Sequence, residues 1–201
     1  GINDAEIITT VSRKYAEEVQ TPEFGFGFDG ILRRRSADLF GILNGIDTER
    51  WDPARDDFLP APYSRSDLSG KRAAKAEVLG RYGLPTDESA MRRPVVGMIS
   101  RMVDQKGFDL IALCAGELPR LDATFIVLGT GDSRYERLWR DLGTAHPDRI
   151  GVQIGFDEGL AHLIEGGADM FLMPSRFEPC GLNQMYSLRY GTVPIVRAAG
   201  G

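Results

Sequence analysis

The sequence of 201 residues is poor in the side chains that build disulfide frameworks and metal centres. It has two cysteines, Cys114 and Cys180, and two histidines, His146 and His162, and none of them has a second ligand at metal-site spacing. We therefore expect reduced thiols, no bound metal, and histidines that are surface and helix-face residues rather than metal ligands.

Long apolar runs and an excess of positive charge are also missing. No apolar run approaches the length that spans a bilayer, and the first residues, GINDAEIITTVS, lack the pattern of a signal peptide. The formal net charge of -5 argues against a general nucleic-acid binder, and the cluster Arg33-Arg34-Arg35 is either a solvated face or a local anion contact. These absences predict a soluble cytoplasmic protein without a membrane or nucleic-acid partner.

The second half of the chain alternates between short β-rich runs and helical patterns. Such alternation predicts a doubly wound α/β fold with a parallel sheet, because parallel neighbours need crossover connections. In the first crossover we expect Leu110, Ile111, Leu113 and Leu118 near one helix face. The predicted strands are 93–100, 123–131, 149–155, 168–175 and 192–196, and the predicted helices after the first crossover are 133–142, 157–167 and 181–189.

The first third of the chain has a different composition. A strand is predicted at 5–12 and a short helix at 13–20, but the Gly- and Phe-rich segment 21–35 has no clear period. A strand-like run at 39–47 and a Pro- and Asp-rich loop at 51–64 come before a helix at 68–83. We predict that residues 1–43 are the tail of one domain and residues 44–201 a second domain, joined near Asn44.

Candidate ligand contacts follow the predicted strands, because open α/β sheets bind ligands outside the carboxyl ends of their strands. Arg101 and Lys106 flank the first such loop, where two cations can meet a diphosphate or can be plain surface charges. Gly129 and Gly131 follow the next strand and allow close backbone approach, but GTGD is not the full dinucleotide fingerprint. Phe156, after the third strand, can stack on a nucleobase or be an ordinary packing aromatic.

The fourth strand is followed by SRFEPCGLNQ. Glu178 can bind a sugar hydroxyl or stabilise a cationic centre, or it can be a solvated turn residue. Gly181 and Leu182 are expected to open a helix whose first N–H groups are available to phosphate. Cys180 is more readily explained as a small packing residue than as a nucleophile, since no base is evident nearby.

Three segments together resemble the bacterial glycogen synthase and plant starch synthase family. They are ILNGIDTERWDP, SRMVDQKGFDLI and PSRFEPCGLNQMYSLRYGTVPIVRAAGG, and the resemblance covers essentially the whole chain. Members of this family are retaining glucosyltransferases of the two-domain GT-B architecture. Tyr186 supports the resemblance, because wider retaining GT-B transferases carry a second Glu at that position.

The resemblance implies a role for each candidate residue. Arg101 and Lys106 match the basic pair on the diphosphate, Phe156 an aromatic on the adenine, and Glu178 the carboxylate at the donor glucose. The remaining donor-site positions that it implies are Gly129, Gly131, Asp157, Cys180, Gly181, Leu182, Tyr186, Gly200 and Gly201.

The implied reaction moves glucose from ADP-glucose to the non-reducing end of an α-1,4-glucan with retention, without a cofactor or metal. Ala199 departs from the Thr that the family usually places before the final glycines. The donor loop and the acceptor-binding residues of the family's N-terminal domain have no counterpart here. We therefore expect a fragment with the donor-nucleotide half of the site and without catalysis of its own. The alternatives are another retaining GT-B transferase, such as a sucrose synthase-like enzyme, and a non-catalytic nucleotide-binding module.

Overall fold

The computed structural model describes residues 1–200, which form two compact units. The first unit contains residues 1–46, 176–182 and 198–200, and the second contains residues 47–175 and 183–197. The boundary near the start of the chain thus follows Ile46, and the chain returns to the first unit at two later segments.

The first unit is built around two short parallel strands. β1 (Ile8–Thr10) pairs with β2 (Leu39–Gly41), and the connection contains α1 (Arg13–Glu18) and α2 (Asp29–Arg34). Ser12 caps α1 by accepting a hydrogen bond from the backbone N–H of Tyr15. α2 lies within the segment 21–35. The sequence of this segment shows no clear period because the six residues of α2 are too few for a helical repeat.

Arg35, the last residue of the basic cluster 33–35, forms hydrogen bonds within the first unit. Its guanidinium donates to the carbonyl oxygens of Ile2 (2.8 Å) and Ala5 (2.5 Å), and its Nε pairs with Asp38 at 2.8 Å. Arg33 pairs with Asp29 one helical turn earlier. Two of the three arginines are therefore engaged with the protein itself.

The second unit contains a parallel sheet of five strands in the order β5-β4-β3-β6-β7. This confirms the predicted doubly wound α/β fold, and the predicted strands and crossover helices are all present. The strands are β3 (Val95–Ile99), β4 (Thr124–Gly129), β5 (Ile150–Ile154), β6 (Met170–Met173) and β7 (Val193–Val196). The helices are α3 (Ser69–Arg81), α4 (Glu88–Arg92), α5 (Phe108–Cys114), α6 (Ser133–Ala145), α7 (Glu158–Gly167) and α8 (Leu182–Arg189), with 3₁₀ turns at Asp104–Lys106 and Ala115–Arg120.

Each face of this sheet carries its own apolar core. One core packs Val95, Ile126 and Leu128 against α3 and α7, and the other packs Phe125 and Val127 against α5 and α6. A strand buried on both faces reads as a continuous apolar run, which is why the central strands are evident in the sequence.

Two sequence predictions in this unit are wrong. Leu113 does not share the buried face of Ile111, because it is 86% exposed. Residues that are two positions apart on an α-helix point about 200° apart around its axis, so Leu113 points away from the core that Ile111 enters. His162 is not a surface residue either, since it is only 1% exposed.

His162 instead anchors the Pro- and Asp-rich loop. Its Nδ1 lies 2.7 Å from Oδ2 of Asp56, and its ring stacks on Trp51 at 3.9 Å. Burial opposes the charge of Asp56, but hydrogen bonds from His162 and Tyr190 hold the pKa of this carboxyl below its usual value. The loop is thereby fixed to α7 by one short side-chain hydrogen bond and one ring stack.

Among residues 1–200, no helix is long and apolar enough to cross a membrane. The same residues contain no group of three or more His, Cys, Asp or Glu side chains suited to holding a metal ion.

Candidate functional site

The order of the strands places a switch point between β3 and β6. Successive strands run outward from β3 through β4 to β5, and the chain then returns to the other side of β3 to form β6. The loops after β3 and β6 meet there, because a Cβ on Gly107 would overlap the carbonyl of Pro174. Gly107 also has φ 78°, a conformation that favours glycine. Ligands of open α/β sheets bind at such a crevice.

A cleft of about 250 Å³ opens beside the switch point, at the carboxyl ends of β3, β4 and β5. Phe156 stands at this cleft with 87% of its surface exposed, so it is not an ordinary packing aromatic. An exposed ring beside an apolar floor can stack on a planar ligand such as a nucleobase. The lining residues are Ile99, Ser100, Arg101, Leu128, Gly129, Thr130, Gly155, Phe156 and Ala161.

Both predicted cations lie on the loop between β3 and α5. Arg101 is exposed, and its Nη2 donates to Oε1 of Gln105 at 3.2 Å. Lys106 ends the 3₁₀ turn Asp104–Lys106, directly before Gly107 and the start of α5. Arg101 is part of the cleft lining, whereas Lys106 lies farther along the same loop.

Gly129 and Gly131 allow two neighbouring loops to touch. A Cβ on Gly129 would overlap the carbonyl oxygen of Ser100. A Cβ on Gly131 would lie 2.5 Å from the carbonyl oxygen of Met102, which is also too close. Met102 is fully buried, and its N–H donates to the carbonyl of Thr130 at 2.9 Å. The close approach that these glycines permit is thus between the loops after β3 and β4.

Asp157 has a structural task at the start of α7. Its Oδ1 accepts a hydrogen bond from the N–H of Leu160 at 2.9 Å, as a helix N-cap does. Sequence reasoning missed Ser100, Thr130 and Gly155 as lining residues. Their position directly at strand ends is the signal that identifies them.

The loop that carries Glu178 belongs to the first unit. Gly200 packs so closely on it that a Cβ would overlap the carbonyl oxygen of Glu178, and its N–H donates to Glu18 at 3.0 Å. Cys180 is 6% exposed, in keeping with a packing residue, and Gly181 has φ 77° directly before α8 begins at Leu182. The predicted donor-site residue Gly201 lies outside the described residues.

Tyr186 lies on α8 and stacks on Trp51, with ring centroids 3.8 Å apart. Asn183, which the sequence did not single out, donates from Nδ2 to the carbonyl of Ile99 at 3.0 Å. This bond ties the start of α8 to the end of β3, beside the switch point.

Residues 86–201 match the model of the family described as glycosyl transferases group 1. The chain belongs to this family. Residues 1–34 also match the model of the starch synthase catalytic domain.

Within this family, the chain is similar to glycogen synthases. The chain is 55% identical to glycogen synthase of Anaeromyxobacter dehalogenans over 201 residues, which are 100% of this chain and 42% of the relative. It is 56% identical to glycogen synthase 1 of Methylococcus capsulatus, of which it covers 40%. The chain thus spans about two fifths of the length of these relatives, and its resemblance to glycogen synthases is confirmed.

A solved structure agrees with both family and fold. The catalytic domain of starch synthase IV from Arabidopsis thaliana, bound to ADP and acarbose, superimposes with a TM-score of 0.91 at 41% identity. The match covers 100% of this chain and 41% of that one. The parallel sheet and its flanking helices are therefore those of a GT-B glycosyltransferase.

Proposed function

We propose that this chain carries the donor-nucleotide half of a glycogen or starch synthase. The reaction would move glucose from ADP-glucose to the non-reducing end of an α-1,4-glucan, with retention of the anomeric configuration. One observation carries the proposal: Arg101 and an exposed Phe156 line a single cleft at the carboxyl ends of β3 to β5. Such a cleft offers a stacking surface for a base beside a cation for its phosphates.

The leaving group explains why cations belong at this position. As the glycosidic bond breaks, negative charge grows on the nucleoside diphosphate, and fixed positive groups lower the energy of that transition state. Arg101 and Lys106 would stabilise this charge, so the proposed reaction needs no metal or other cofactor. Glu178 would orient the donor glucose and offset positive charge at its anomeric carbon.

The competing functions use the same fold. A sucrose synthase-like transferase would bind a different acceptor, but Tyr186, Cys180 and the 55% identity with a glycogen synthase favour the glucan. A non-catalytic nucleotide-binding module is favoured only by Ala199, where the family usually carries Thr.

Calorimetric titration of the chain with ADP, UDP and ADP-glucose tests the donor site. We expect saturable binding that prefers adenine, and a loss of about tenfold or more in affinity for Arg101→Ala and for Lys106→Ala, since each removes a charged hydrogen-bond donor. ADP affinity that is unchanged in both variants would contradict the proposal.

Glucan elongation tests the division of the active site. A GT-B active site needs groups from two domains, and proximity catalysis is lost when one set is missing. We therefore expect no extension of maltooligosaccharides by this chain above a Glu178→Ala control. Extension above that control would show that the chain holds a complete site.

A further inference from the structure

The first turn of α6 contacts both loops that border the nucleotide cleft. Arg134, Tyr135 and Glu136 are consecutive residues of this helix, and each reaches a loop outside it. None of the three lines the cleft, so the function proposed above does not use them.

Tyr135 and Arg134 hold the loop that carries the two cations. The Tyr135 hydroxyl donates a short hydrogen bond to Oδ1 of Asp104, and Nη2 of Arg134 donates to the same oxygen at 2.5 Å. Asp104 begins the 3₁₀ turn that ends at Lys106. The position of this turn therefore depends on a bond to α6.

The ring of Tyr135 is itself held in place. It is 3% exposed, packs against Phe108 with centroids 5.8 Å apart, and lies under the guanidinium of Arg134 at 4.5 Å. Burial raises the pKa of Tyr135 to about 12, and the bond to Asp104 acts in the same direction, so the hydroxyl remains a donor at neutral pH.

Glu136 holds the other loop. Its Oε1 accepts from the hydroxyl of Thr130 at 2.7 Å and from the N–H of Gly131 at 3.0 Å. The hydrogen bond from the Gly131 backbone lowers the pKa of this carboxyl, as does that from Thr130, which keeps it charged. Thr130 lines the cleft beside Phe156, so Glu136 fixes the wall against which a base would lie.

We propose that Tyr135 and Glu136 are positioning residues for the donor nucleotide. Tyr135 fixes the loop between β3 and α5, whose two cations would meet the diphosphate. Glu136 fixes the cleft wall at Thr130, against which the base would lie. This inference rests on the proposed function, because it assigns a task toward a nucleotide bound in that cleft. Pre-organised loops bind more tightly because less ordering remains to be done on binding.

Titration of the chain with ADP and with adenosine separates the two roles. For Tyr135→Phe we expect ADP to bind about three- to tenfold more weakly, the range for one lost hydrogen bond, while adenosine binds within about twofold of the original chain. Glu136→Ala should weaken both ligands by about the same factor, since both use the base wall. Glu136→Gln should recover most of the loss, because its amide oxygen can still accept both hydrogen bonds.

Two further variants test the mechanism. Asp104→Ala should weaken ADP binding at least as much as Tyr135→Phe, because it removes the hydrogen bonds from both Tyr135 and Arg134. The double variant should be no weaker than Asp104→Ala, because the bond that Tyr135→Phe removes is already absent there. Arg137→Ala is the matched control on the same helix, since the described residues show no hydrogen bond or ion pair from Arg137 to either loop. Its affinity for both ligands should equal that of the original chain.

The outcomes distinguish this inference from the proposed function. If Arg101→Ala weakens ADP binding and Tyr135→Phe does not, the positioning role is wrong and the donor site stands. An equal loss for ADP and adenosine in Tyr135→Phe would indicate general loosening and would also overturn the role. If the original chain binds no ADP, or if Arg101→Ala and Lys106→Ala both bind it unchanged, the proposed function and this inference both fail.

Discussion

The two ends of the sheet in the second unit use cations differently. At the amino ends of the strands, Lys71 donates to the carbonyls of Gly166 (3.0 Å) and Tyr190 (3.2 Å) and to the hydroxyl of Thr192 (2.8 Å). At the carboxyl ends, Arg101 is exposed beside a cleft and contacts the side chain of Gln105. An ammonium group has three donors, so Lys71 has none left for a ligand.

The same contrast separates cations that maintain the fold from those suited to binding. Lys75 joins Lys71 at the amino end, with its Nζ 2.7 Å from Asp169 and 2.9 Å from the carbonyl of Arg93. Burial lowers the pKa of Lys71 to about 8. A basic residue is thus informative about ligands only once its protein partners are known.

The largest expected effect concerns Glu165, which lies with Lys71 at the amino end. It is 1% exposed, accepts from Ser187 at 2.7 Å, and burial raises its pKa to about 8 from 4.5. The folded state then binds more protons than the unfolded state between these values, so stability is full at low pH and falls as the pH rises toward 8. We expect a loss of roughly 4 kcal/mol in the free energy of unfolding across this range.

Urea unfolding followed by tryptophan fluorescence at pH 5 and pH 8 measures this slope. Glu165→Gln keeps an acceptor for Ser187 but cannot ionise, so the difference in stability between the two pH values should largely disappear. An equal slope in both chains would show that other groups cause it.

A smaller effect is expected from Lys75→Met. The substitution removes the donor to the carbonyl of Arg93 and the cation beside Asp169. The side chain of Asp169 is 41% exposed and still accepts a hydrogen bond from the N–H of Val95 at 2.7 Å, which limits the cost. We expect a loss of about 2 kcal/mol in the free energy of unfolding, below the range for fully buried pairs. Arg101→Met at the other end is the matched control and should change stability by less than about 0.5 kcal/mol. Equal losses in the two variants would remove the distinction between the two ends.

The smallest expected effect is that of Phe156→Ala. The ring is 87% exposed, so the free energy of unfolding should stay within about 0.5 kcal/mol of the original. Affinity for ADP should fall about fivefold, the value of one aromatic stacking contact. Leu113→Ala, at a position 86% exposed on α5, should change neither quantity. Calorimetry and thermal unfolding of the two variants give both readings, and an unchanged ADP affinity in Phe156→Ala would place the base elsewhere.

Much of the fold follows from local sequence patterns. Strands β3 and β4 are evident because a strand covered on both faces needs an uninterrupted apolar run, as in Val95–Ile99 and Thr124–Gly129. α2 was missed because so short a helix, held by its surroundings, carries little pattern of its own.

The candidate site was only partly predictable. Arg101, Gly129 and Phe156 were found because they lie at or just after the ends of strands, and the structure brings all three to one cleft. Asn183, Tyr135 and Glu136 were not found, because their contacts join residues far apart in the chain: Asn183 to Ile99, Tyr135 to Asp104, and Glu136 to Thr130.

The sequence by itself determined the α/β alternation, the parallel sheet and the family, since these depend on periodicity and on short motifs. Only the tertiary structure decided that His162 is buried against Trp51 and Asp56, and that Arg101 faces a cleft. It also decided that all three donors of the Lys71 ammonium group bind protein acceptors. Periodicity reports which side of an element is apolar, whereas the role of a polar side chain depends on the partners that other elements bring to it.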